Sequence, residues 1–279
     1  MLKIHGWRAR LCLTGGFSLI AAFLFLPIAW MFLTSIKPEG EVFVRLPSLW
    51  PHAPTLDHYR QLFTRGEMVA QLRNSLITAG GGALLTVVLA TYAAYGFAKF
   101  RYPARKALMV LMLSAQMFPF AMLLISLYPL LQAMGLLNTR FGLIVSYIIL
   151  ALPSGTYMLY SYFVNIPTEI IEAARADGAG ELYILHRIVL PLAMPALVTV
   201  GLYSFMWAWN DLLFSLTLIT SPELRTVGPG LLLSYMGEGR SDWGGAMAAS
   251  IVGSLPVVIG FAFLQRFFIQ GLTAGAVKS

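Results

Sequence analysis

Charge is scarce in this chain: Asp, Glu, Lys and Arg make up 11% of its 279 residues, against 58% hydrophobic. A water-soluble core of this size cannot hide 18 Phe, 12 Tyr and 13 Met behind so few charges. Cysteine is nearly missing, since Cys12 stands alone, which excludes an internal disulfide. Cys12 follows "RARL" with no apolar segment before it, so it does not read as a lipid-anchor site; it reads as a small apolar residue. Histidine is thin as well. His5 and His186 stand apart, His52 and His58 share a loop, and with no HExxH and no cysteine pair a zinc site lacks its ligands. No GxxxxGK[ST] occurs, because the one Lys followed by Ser or Thr is Lys278, preceded by Val277. ATP that drives this protein is therefore held by another chain, and neither catalytic nor metal-binding residues are assigned.

Uncharged runs are what the sequence has instead. They cover 11–36, 74–98, 107–139, 141–168, 188–210 and 243–265, each long enough to cross a bilayer as a helix. They predict an all-α integral membrane protein, one domain over 1–279, with spans near 11–35, 75–98, 107–133, 141–163, 192–219 and 245–268. Residues 1–35 carry too long an apolar run, and no clean cleavage pattern, for a removable signal peptide. The net charge of +7 is scattered between the runs, which argues against nucleic acid as a partner. It reads as topology. Lys3, Arg8 and Arg10 precede the first span and Lys99, Arg101, Arg105 and Lys106 separate the second from the third, whereas Arg140 alone separates the third from the fourth. Both termini are then cytoplasmic, and so is the connection between spans four and five.

Within the spans, "TAGGGALLT" followed by Ala90, Ala93 and Ala94 predicts close helix packing in span two. Pro119 in span three and Pro153 in span four predict helices broken near mid-depth. "TLDHYRQLF" in the loop 36–74 places Leu56, Tyr59 and Phe63 at helical spacing, which suggests a short helix on the membrane surface. Asp211 is the one carboxylate inside an apolar run, in "WAWNDLLF". Two readings stay open: Asn210 and Asp211 line a path for a hydroxylated cargo with Trp207 as an aromatic face, or Asp211 bonds across to another helix near the outer interface. Gln116 and Tyr157 carry the same pair of readings.

The connection between spans four and five departs from its surroundings. Residues 165–187 hold Glu169, Glu172, Asp177 and Glu181 against Arg175 and Arg187, an acid excess where a basic loop is expected. "PTEIIEAARADG" reads as a helix over 167–178, with early acids favoured by the dipole and Gly178 as its stop. So short a helix outside the membrane needs a surface to dock on, a partner protein or the bundle it caps.

"EAARADGAGELYILHRIVLP" fits the pattern EAA, three residues, G, nine residues, I, one residue, LP: Glu172, Ala173, Ala174, Gly178, Ile188, Leu190 and Pro191. It resembles the EAA loop of permease subunits of binding-protein-dependent ABC importers. "ATYAAYGFAKFRYPAR", "QMFPFAMLLISLYPLL", "GLLNTRFGLI", "WNDLLFSLTL" and the ending "QRFFIQGLTAGAVKS" are similar to the second permease of the maltose-type carbohydrate group. That resemblance implies a type I fold in the cytoplasmic (inner) membrane of a bacterium. Its partners would be a second homologous permease in a heterodimer, two ATPase subunits that carry ATP and Mg, an extracytoplasmic sugar-binding protein and the lipid. It makes 167–178 the coupling helix, with Glu172, Ala173, Ala174, Asp177, Gly178, Ile188, Leu190 and Pro191 as ATPase-coupling residues. It brings the tail residues Gly271, Leu272, Thr273 and Lys278 toward the ATPase, and turns the outer loop 220–243, with Pro229, Gly230 and Gly237, toward the binding protein. The cargo would be a sugar, glycoside or related polyol, moved by alternating access. The alternative class is an ion-coupled secondary transporter of a small polar solute, which would run without an ATPase chain.

Overall fold

The computed structural model describes residues 7–42, 44, 48–237 and 242–276. All regular structure among the described residues is helical. The chain begins with α1 (Trp7–Ser35), a short turn α2 (Glu39–Val42), α3 (Asp57–Thr64) and the long α4 (Glu67–Lys99). It continues through α5 (Arg105–Ser114), a 3-10 turn at Ala115–Met117, α6 (Phe120–Ala133), α7 (Arg140–Val164) and α8 (Thr168–Ala176). After these come α9 (Glu181–Ile184), a π-helical stretch at Leu185–Val189, α10 (Leu190–Leu192), α11 (Met194–Trp209), α12 (Leu213–Leu218), α13 (Val227–Tyr235) and α14 (Trp243–Ala276). Four helical stretches are long and apolar enough to cross a membrane: Leu13–Ser35, Glu67–Lys99, Arg140–Val164 and Trp243–Gln265. Two bent pairs add to them, Arg105–Met117 with Phe120–Ala133 at 101° and Glu181–Leu192 with Met194–Trp209 at 80°, which makes six spans if each pair is one.

The chain forms two compact units, the described parts of Met1–Met68 with Leu231–Ser254, and of Val69–Gly230 with Leu255–Ser279. In the first, α1 leaves Phe17, Phe23 and Leu26 bare, as a lipid-facing helix does. Its end is tied down. Lys37 is buried, donates to the Ser48 carbonyl at 2.6 Å and lies 4.7 Å from the Trp30 ring centroid. His58 of α3 bonds the Lys37 carbonyl at 2.9 Å, and Tyr59 and Ser35 share a hydroxyl bond of 2.7 Å. α3 thus buries His58 and Leu62 and leaves Phe63 exposed, with Leu56 exposed just before it, while Tyr59, expected on the same face, is half-buried on its bond to Ser35.

In the second unit the small residues of α4 are used as their spacing predicts. A Cβ on Gly82 would sit 3.2 Å from the Cβ of Tyr147 on α7, and one on Gly81 would sit 3.0 Å from the Ile144 Cδ1. Gly155 of α7 answers for α11, since a Cβ there would meet the Val200 Cγ1 at 3.0 Å. Ala90 and Ala94 complete the close approach beneath Leu159 and Phe163.

Two expectations are corrected. Span four is not broken: α7 runs unbroken through Pro153, because a proline removes one N–H from a ladder of 25 residues and its ring is buried in the packed face. Span five is not one helix over 192–219. α11 stops at Trp209 and α12 starts at Leu213, because the Asp211 carboxylate takes the N–H groups of Phe214 and Ser215 at 3.2 and 2.8 Å and nucleates a new helix. The segment that leads into that span is irregular as well. The helix is widened to π-form just before Pro191, which offers no N–H to the preceding turn. Span three is broken at Phe118–Pro119, as predicted.

Candidate functional site

The loop between α7 and α11 is built outward from a buried floor. Ile171 of α8, Ile184, Leu185 and Val189 sink into a cluster with Phe163, Ile166 and Tyr95. α8 ends as its sequence predicts. Gly178 has φ +83°, the Ala179 N–H reaches the Ala174 carbonyl at 2.9 Å and the Gly178 N–H the Arg175 carbonyl at 3.0 Å, the paired bonds of a Schellman cap. The motif residues then divide by direction. Ala174, Ile188 and Leu190 are half-buried against the cluster, whereas Glu172, Ala173, Asp177, Gly178 and Pro191 are exposed.

A second set of residues, which the motif does not contain, holds the loop in place. Glu181 accepts from the Arg175 guanidinium at 2.7 Å and from the Tyr95 hydroxyl at 2.8 Å, so one carboxylate joins α8, α9 and α4. The bond to Glu181 also raises the pKa of Arg175. Lys99 donates to the Ile166 carbonyl at 3.0 Å, where the chain leaves α7. His186 bonds the Leu182 carbonyl at 2.8 Å and the Tyr92 hydroxyl at 3.1 Å. In the sequence the acid excess at 165–187 was the one signal for Glu181, and it says nothing of a partner 86 residues away.

On the opposite side of the second unit lies a cleft of about 730 Å³, a size that suits a small ligand. Phe120, Tyr203, Met206 and Trp207 give it apolar and aromatic walls, and Asn210 and Asp211 give it polar ones. Trp207 stands among Phe120, Tyr147 and Phe214, with ring centroids 5.6, 6.2 and 6.4 Å away. Trp207, Asn210 and Asp211 therefore share one cleft, and Asp211 also bonds across to Tyr147, so features of both readings are present. Gln116 reaches the cleft wall indirectly: it donates to the Ser154 hydroxyl at 2.6 Å, which also accepts from Tyr203 at 3.3 Å. Tyr157 is exposed on α7 beside Tyr160 and does not line the cleft. The carboxylate of Asp211 is engaged in structure, by the Tyr147 hydroxyl at 3.1 Å and the two backbone N–H groups of α12.

Beyond the cleft, residues 218–227, which overlap the loop expected at 220–243, form a strap whose anchoring bonds the sequence did not show. Asn138, in the left-handed region at φ 55°, donates its backbone N–H to the Leu218 carbonyl and its amide to Ser221, and accepts from the N–H groups of Thr220 and Ser221. Asn74 of α4 donates to the Glu223 and Arg225 carbonyls at 2.8 and 3.0 Å while accepting from Arg140 at 3.0 Å. Ser75 accepts from the Val227 N–H, and Ser215 is bonded to Thr226. Of the tail residues, Gly271, Leu272 and Thr273 lie in the backbone of α14, and Lys278 lies outside the described residues.

The family described as binding-protein-dependent transport system inner membrane component has a model that matches residues 86–274, from α4 through both sites into α14. The chain belongs to that family. It is a permease subunit of an ABC importer, a multi-pass protein of the cytoplasmic membrane. Among its relatives, the sulfoquinovosyl glycerol transport system permease protein of Agrobacterium fabrum is 36% identical over 90% of this chain and 88% of its own length. The trehalose/maltose transport system permease protein of Thermococcus litoralis is 34% identical over 96% of this chain and 97% of its own. A bacterial ABC transporter involved in the import of the acidic polysaccharide alginate has a chain of the same fold, with a TM-score of 0.82 at 22% identity over 95% of this permease and 99% of that chain.

Proposed function

We propose that this permease carries a sugar, glycoside or related polyol into the cell by alternating access, with the loop 168–191 as its coupling device. The observation that carries this reading is the division of the EAA motif. One half is anchored against α4 and α7, and the other half is left bare, Glu172 and Ala173 on α8 and Gly178 in the turn that ends it. A short helix so held transmits the motion of whatever binds its outer face to the floor residues Ile171 and Leu185, and from them to the spans. The partner that fits is an ATPase subunit holding ATP and Mg, one of two in the complex, with Glu172 accepting a salt bridge from a cation on it. A second, homologous permease completes the membrane part as a heterodimer, and an extracytoplasmic sugar-binding protein delivers the cargo at the outer strap. This chain contributes no catalytic group of its own. The transport of trehalose, maltose and sulfoquinovosyl glycerol in the names of relatives supports carbohydrate as the cargo class, and the aromatic cleft around Trp207 supports it from the side of chemistry. The loop faces the cytoplasm in this reading, as do both termini.

An ion-coupled carrier would rely on Asp211, and the two N–H bonds that cap α12 together with the bond from the Tyr147 hydroxyl leave this carboxylate ill suited to that task. Two substitutions separate the readings. Glu172→Lys, on an exposed helix face, is expected to lower uptake by about tenfold or more with ATP hydrolysis retained, a loss of coupling of ~1.4 kcal/mol. Asp211→Asn keeps one acceptor oxygen and is expected to cost far less uptake. Unchanged uptake by Glu172→Lys in an assembled complex would refute the coupling role, and abolished uptake by Asp211→Asn would move Asp211 into the cargo path.

A further inference from the structure

The basic residues between α4 and α5 form a site that the transport reading does not use. Arg101, Arg105 and Lys106, with Tyr102, Ala104 and Ala107, line a pocket of about 590 Å³. Ala104 turns the chain through φ 61°, which brings Arg101 and the pair Arg105 and Lys106 around one space. Arg105 is fixed there by its bond to the Phe100 carbonyl at 3.1 Å. None of the three forms an ion pair among the described residues, where the close pairs are His58 with Asp242 and Arg175 with Glu181. Lys99 is set apart, engaged with the Ile166 carbonyl. Three like charges around one pocket repel unless an anion sits among them. The positive topology signal explains why cations are on this side of the membrane. It does not explain why they converge.

The surroundings say what kind of anion. Lys99 and Tyr95 tie this end of α4 to the loop 165–181, so the pocket lies at the same membrane face as that loop. Phe100 and Tyr102 are exposed beside it, as aromatic side chains are at the headgroup level. From the pocket, α5 presents Leu108 and Leu111 one turn apart, 46% and 67% exposed, an apolar track that a free inorganic anion would not use. We propose that this pocket binds the phosphate headgroup of an anionic phospholipid, with its acyl chains along Leu108 and Leu111. The residues that line it are neither in the cleft around Trp207 nor in the EAA motif.

The test uses the full chain in its detergent-purified, delipidated complex, and native mass spectrometry with phosphatidylglycerol, phosphatidylcholine and inorganic phosphate in separate arms. Phosphatidylglycerol is expected to be retained at concentrations about tenfold below phosphatidylcholine. R101Q/K106Q, which leaves the Arg105 bond to Phe100 intact, is expected to weaken that retention by about thirtyfold, from roughly the attraction of each cation near an anionic surface. Lys106→Gln alone serves if the double variant does not assemble, with about fivefold loss expected from the same attraction. R101K is expected to bind as the unaltered chain does. Equal retention of the two lipids, or retention untouched in the substituted chains, would overturn the proposal. So would displacement of phosphatidylglycerol by inorganic phosphate at matching concentration, which would mean a small-anion site.

Discussion

Gly178 is the residue whose role could be read most directly from sequence, and the structure explains why. A helix of nine residues that must stop and turn back needs a left-handed residue, and Gly178 stands at φ +83° with the Schellman bonds closed around it. A Cβ there would meet nothing within 4 Å, so the cost of Gly178→Ala is backbone strain alone, about 1 kcal/mol. Gly180 is the internal control. It has equally open surroundings but φ −73°, so Gly180→Ala is expected to be neutral in thermal stability while Gly178→Ala lowers it and reduces uptake. Equal melting temperatures for the two would remove the strained-turn account. Asp211 was the opposite case. A lone carboxylate in an apolar run is ambiguous in sequence, because its partner Tyr147 lies 64 residues away and the start of the short helix whose N–H groups it accepts is not marked by any other charge or by proline.

At the scale of elements, the features legible in the sequence were those set by steric demand. The glycines of "TAGGGALLT" predicted a close approach, and the structure places α7 against two of the three. Gly82→Leu is expected to drive Tyr147 from α4 and destabilise the chain by about 2 kcal/mol, as overpacking does. Gly80, with no neighbour within 4 Å of its would-be Cβ, is expected to accept leucine without loss. Detergent-based thermal shift assays on the two variants check this, and a stable Gly82→Leu protein would contradict the packing. Proline was the less reliable guide. Pro119 breaks a span and Pro153 does not, since the effect of a proline depends on whether neighbours support the freed carbonyl, and a single sequence does not show neighbours. The Glu181 link between α4, α8 and α9 was hidden for the same reason.

For the molecule as a whole, apolar runs and charge placement were enough for the membrane class, while the 80° and 101° bends were beyond them. Topology gives a direct prediction. In a Cys12→Ser background, Thr168→Cys is expected to be shielded from a membrane-impermeant maleimide in intact cells and labelled in inverted vesicles, with Glu223→Cys behaving the other way round; both residues are exposed. Labelling of both from one side would reverse the cytoplasmic assignment of the loop.

The outer strap has one more consequence. Asn138 and Asn74 fix the backbone from Leu218 to Arg225 with bonds to carbonyls and N–H groups, whatever side chains the strap carries. A protein landing on it meets a surface whose conformational entropy has already been surrendered in folding, so docking there need not wait for a loop to order. The exposed side chains of the strap, Thr220, Pro222 and Glu223, are free to change partner preference without altering its shape, and encounter is limited by orientation and diffusion, as between two rigid bodies.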